Sequence, residues 1–120
     1  DKEDICGFQA FDASLKNQLA KTDVVPRLLL ILRDESKVER SEVAKLLALL
    51  APNNPEVLDG LIAALKDRTS TVRASVVISM GKMGVAAKTA VPALTLMLND
   101  RSKHVREAAV KALKQIDELQ

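Results

Sequence analysis

The side chains best placed to do chemistry in this chain are three arginines and three aspartates. Arg40, Arg73 and Arg106 recur every 33 residues, and Asp34, Asp67 and Asp100 recur at the same interval. A guanidinium can bind a phosphate, or it can grip a carboxylate through two parallel N–H bonds. Each arginine here follows an aspartate at fixed spacing. A structural ladder of acid–arginine pairs is therefore the expectation, formed within a repeat or across to the next, with phosphate binding the lesser reading. Other reactive groups are scarce. His104 is the only histidine and Cys6 the only cysteine, too few for a zinc or iron site or an intramolecular disulfide. Cys6 has no nearby base to activate it, and Gly7, Gly60, Gly81 and Gly84 build no phosphate loop. The inventory points away from an enzyme and toward a chain without cofactors.

The elements that carry these residues are themselves repeated. Leu28, Leu61 and Leu94 share the 33-residue step with Leu32, Leu65 and Leu98, with Leu47, Met80 and Leu113, and with Leu50, Met83 and Ile116. So many columns at one undrifting period mark tandem copies of one unit. Each copy predicts two helices. Val25, Leu28, Leu29 and Leu32 form one apolar face, and Val43, Leu47 and Leu50, with Leu46 alongside, form the second. Short polar turns separate them: DESK at 34–37, DRTS at 67–70 and DRSK at 100–103. Ser36 with Glu39 has capping-box form. Asn54 precedes Pro55 as a helix start should, Thr89 is placed to cap another, and Gly84 is placed to end one.

Residues 1–23 fall out of register, with Gly7 beneath Arg40 and Ser14 beneath Leu47. Phe8, Phe11, Leu15 and Leu19 still share one helical face. A capping helix or a divergent partial repeat is expected there, because the end of a stack exposes an apolar flank; truncating Phe8 or Phe11 should then cost stability. The units are residues 1–23, 24–55, 56–90 and 91–120. No run of about 18 apolar residues is present to span a bilayer. The formal charge of +2 is too small to indicate nucleic acid. The chain opens DKEDIC without methionine, as an excised or processed product would, so its start gives no cellular address.

The pattern resembles the HEAT repeat family, most closely the short bacterial and phycobilisome-lyase-type repeats. The residues that carry the resemblance are Pro26, Asp34 and Arg40; Asp67 with Val72-Arg73; and Pro92, Asp100 and Val105-Arg106. Asp59 stands where the first-helix proline would be, and Glu39 where the valine would be. The resemblance implies an all-α, right-handed superhelix: three helical pairs plus an N-terminal helix. It also implies a non-catalytic scaffold that binds a protein or peptide. The alternative is a fragment or relative of a phycobilin-lyase-type enzyme, which should bind a bilin with a changed absorption spectrum. HEAT-like DNA glycosylases use aromatic residues to cradle a base, and the repeats here hold none.

Solenoids bind along a surface built from one stack of helices. On the second helices, the positions opposite the core are Val38, Ser41, Lys45, Ala48 and Leu49, with their equivalents one and two periods on. The candidate partner surface is Lys45, Ala74, Ile78, Lys82 and Lys111: an apolar centre with a basic rim. On the first helices, Leu30 and Leu96 also point away from the core.

Overall fold

The helices begin and end where local chemistry directs. A computed structural model describes residues 24–34 and 36–118, apart from the side chains of Asp34 and Glu118. The leading segment, with Cys6, Phe8, Phe11, Leu15 and Leu19, lies outside the described residues. Helix α1 (Val24–Asp34) carries Pro26 in its first turn, where a missing N–H breaks no intrahelical bond. Helix α2 (Lys37–Leu50) starts at Ser36, whose Oγ accepts the Glu39 N–H at 3.4 Å and donates to Glu39 Oε1 at 2.8 Å. Helix α3 (Pro55–Ala64) starts at Asn54, whose side chain accepts the Glu56 N–H at 2.8 Å. Helix α4 (Ser70–Met83) stops at Gly84, the one glycine with positive φ among the described residues, at 59°.

The joint after Gly84 differs from the expectation at Thr89. A 3₁₀ segment (Gly84–Ala90) runs directly into α5 (Val91–Leu96), and no side chain caps the latter. Thr89 lies inside the 3₁₀ turns, so the backbone groups it would have capped are already in a helical run. A second 3₁₀ turn (Met97–Asn99) follows, then α6 (Lys103–Glu118).

The fold is all-α, with α1–α2, α3–α4 and α5–α6 as successive hairpins. The second helices stack side by side: α4 packs against both α2 and α6. Being central, α4 buries Val72, Val76, Val77 and Met80 on more than one side. The core uses the repeated columns, with Leu47, Met80, Leu61 and Leu94 fully buried.

Three wheel assignments change because a stacked helix touches neighbours on both flanks. Leu46, expected on the apolar face, is 39% exposed, whereas its equivalents Ser79 and Ala112 are buried. That column faces the preceding hairpin, and none is described before the first. Ser41, expected to face solvent, is buried, and Ala48 is half-buried. Both sit on the flank that α4 covers. Gly81 holds the equivalent place beside α6; a Cβ there would come within 2.9 Å of Ala112 Cα and Cβ. This close approach is why glycine is needed at that position.

Candidate functional site

Two features of the stack are candidates for function: the charged rungs along its turns and the open face of the second helices. The rungs come first, because they hold the second helices in place. Arg40 Nε donates to Asp67 Oδ2 at 2.8 Å and its Nη2 to Asp67 Oδ1 at 3.1 Å. Arg73 repeats this with Asp100, at 2.8 and 3.0 Å. Each of these two arginines thus grips the aspartate of the following repeat, 27 residues on, and Arg73 does not grip the carboxylate of Asp67, six residues back. Toward its own turn, Arg73 Nη1 instead donates to the backbone carbonyl of Asp67 at 2.8 Å.

The aspartates are held from a second side. The Thr69 N–H donates to Asp67 Oδ1 at 2.9 Å, and the Ser102 N–H to Asp100 Oδ1 at 2.8 Å. Burial alone would raise the Asp100 carboxyl. The Arg73 and Ser102 hydrogen bonds, with the charges of Arg73 and Arg101, outweigh it and hold the group below the ordinary aspartate value. Arg106 departs from the pair pattern. Its Nη1 donates to the backbone carbonyls of Asp100 and Arg101, at 2.8 and 3.1 Å, and it grips no carboxylate among the described residues. The ladder therefore has two complete rungs among the described residues.

The open face is built from α2, α4 and α6. Ile78, on the central helix, is 44% exposed. Lys45, Ala48 and Leu49 of α2 meet Ile78, Ser79 and Lys82 of α4 around one depression. Ile78 and Lys82 also line the next depression, with Glu107, Ala108, Lys111 and Gln115 of α6. Since both depressions share two residues, they form one shallow groove across the three helices. Of the named candidates, Lys45, Ile78, Lys82 and Lys111 line it. Ala74 does not; it is half-buried, about one helical turn before Ile78.

Three lysines face one glutamate among the lining residues, so the groove is cationic. Lys45 is partly neutralised by Glu42 at 3.0 Å, in an exposed pair worth at most about 0.5 kcal/mol. Ser79 was missed by spacing arguments. It lines the groove, yet its Oγ is buried with no hydrogen-bond partner. The readable signal was a serine in a column otherwise filled by Leu46 and Ala112. Leu30 and Leu96 are exposed, on the side expected, but line no part of this groove.

His104 is exposed in the first turn of α6. Among the described residues, no group of three or more His, Cys, Asp or Glu is placed to hold a metal ion. No described helix is long and apolar enough to cross a membrane.

No curated protein matches the chain. The family model for HEAT repeats, a class that serves generally as protein-interaction scaffolds, matches residues 25–114. That span takes in both complete rungs, every groove residue but Gln115 and all six helices in whole or part, and the chain belongs to the HEAT repeat family.

Proposed function

We propose that this chain is a non-catalytic scaffold whose groove across α2, α4 and α6 holds a protein or peptide segment. The segment it fits carries an apolar side chain flanked by carboxylates. One observation carries this reading: Ile78, nearly half exposed, lies in the groove that Lys45, Lys82 and Lys111 also line. An apolar anchor inside a polar rim is the arrangement by which protein interfaces concentrate their binding energy.

The test is capture by the purified chain from lysate of its source, with nuclease treatment and at low and high salt. A protein retained in stoichiometric amount through both treatments is expected. Ile78→Asp should weaken that capture about tenfold or more. Its melting temperature should move by no more than about 3 °C, as for an exposed position. Undiminished capture by Ile78→Asp would remove the groove from consideration. Capture that disappears with nuclease or salt would shift the role to the lysines and to nucleic-acid phosphates.

A further inference from the structure

The two halves of the groove differ in chemistry. Between α2 and α4 its walls include Ala48, Leu49 and Ile78, and Leu49 is 64% exposed. Lys45, at the same place, is already held by Glu42 at 3.0 Å. Between α4 and α6 the walls are mostly polar: Lys82 and Lys111 against one acid, Glu107, with Gln115 beside them. Neither Lys82 nor Lys111 pairs with a carboxylate among the described residues.

The repeat register shows why. Lys45, Ile78 and Lys111 occupy one column, and Leu49, Lys82 and Gln115 another, about one helical turn on. Helices α2 and α4 each contribute one apolar residue and one lysine at these places, whereas α6 contributes only polar ones. The apolar half must therefore lie between α2 and α4, and the cationic half between α4 and α6.

Ile78 and Lys82 line both depressions and so stand between them. Packed helices lie about 8–10 Å apart, so depressions on either side of α4 are separated by about 9 Å. A chain in polyproline II geometry rises about 3.1 Å per residue with about three residues per turn. Its side chains i and i+3 thus project to one side about 9 Å apart, with only backbone between them to pass over Ile78. An α-helix covers that distance between i and i+6 or i+7, and its i+3 and i+4 side chains would strike Ile78 on the way.

Resting on the reading of this groove as a peptide site, we infer that its occupant is an extended segment carrying an apolar and an acidic residue three positions apart. The apolar side chain fills the α2–α4 depression against Leu49 and Ile78. The carboxylate enters the α4–α6 depression beside Lys82 and Lys111. A basic residue at that second place would meet two ammonium groups, so the depression selects by repulsion as well as by attraction.

The test is selection of a displayed library of random peptides on the immobilised full chain, with the enriched sequences read out. Enrichment of an apolar and an acidic residue at a separation of three, in either order, is expected. Lys111→Glu, at an exposed position where folding should be unaffected, should turn the acidic preference toward lysine and arginine and leave the apolar one. Leu49→Asp should do the reverse, removing the apolar preference alone. For the best synthetic peptide, fluorescence anisotropy should show each variant binding at least about tenfold more weakly. Enrichment without a fixed separation, a separation of seven as a helix would give, or preferences unmoved by both variants would overturn the inference. So would a library that yields nothing. In each of those cases, lysate capture that still depends on Ile78 would leave the scaffold reading standing, whereas capture indifferent to Ile78→Asp would remove both.

Discussion

Replacing Arg73 with methionine is expected to lower stability by about 3–5 kcal/mol, the range for breaking a buried ion pair from one side. The cost arises mainly from what stays behind. Asp100 would keep its Ser102 N–H bond but lose both guanidinium bonds while its side chain is only 10% exposed. Set against the 5–15 kcal/mol that folds most domains, such a loss would be evident as a lower urea midpoint. Adding Asp100→Asn should recover part of it, because the amide oxygen can still accept from Ser102 and no charge is stranded. No recovery in the double variant would mean that the rung stabilises through packing and not through charge.

The same rung predicts acid sensitivity. The folded Asp100 carboxyl lies below its ordinary value, so the unfolded chain takes up the proton first. Its contribution is complete above the unfolded value of about 3.9 and is lost as pH falls through the folded value. Urea midpoints measured from pH 7 to pH 3 should fall over the lower part of that range. The fall should be smaller in Arg73→Met, where the depressed value no longer exists.

Leu61→Ala is the second substitution with a large expected effect, about 2–5 kcal/mol. Leu61 is fully buried in the middle hairpin, so the cavity it leaves is walled by neighbours on both sides and cannot easily collapse. Leu94, in the same column and also fully buried, should behave alike. Leu28, third in that column, is only half-buried among the described residues, and Leu28→Ala should cost less. Thermal or urea melts of the three variants would rank them. Equal losses at all three would show that the leading 23 residues complete the burial of Leu28.

These cases show which parts of the molecule are legible in its residues. Columns at a fixed period identified Leu47, Met80, Leu61 and Leu94 as core, because a repeat buries one position for one reason each time. The acid and arginine columns identified the members of the rungs. Spacing could not decide their direction, since a turn of a few residues brings Arg73 near Asp67 and stacking brings it near Asp100. Only the packed structure shows that the side chain goes forward while one N–H goes back. The groove was half legible for a related reason. Ile78, Lys45, Lys82 and Lys111 follow from a wheel that divides inside from outside. Ser41, Leu46, Ser79 and Gly81 lie on flanks, where a neighbouring hairpin decides burial and a single helix has no way to encode it. Thr89 failed as a cap because propensity at one residue yielded to the continuous 3₁₀ path from Gly84.

The rungs also bear on the molecule's mechanics. Both lie at the edge where the turns are, so each hairpin is fastened to the next along one side. At the far side, the links are dissimilar: Ala51–Asn54 between the first pair and a 3₁₀ segment between the second. A stack fastened this way opens like a book about its spine. Bending is then expected to fan the far ends of α2 and α4 more than the turn edge, with the groove widening most near Leu49, while the close approach of Gly81 to Ala112 keeps α4 and α6 together.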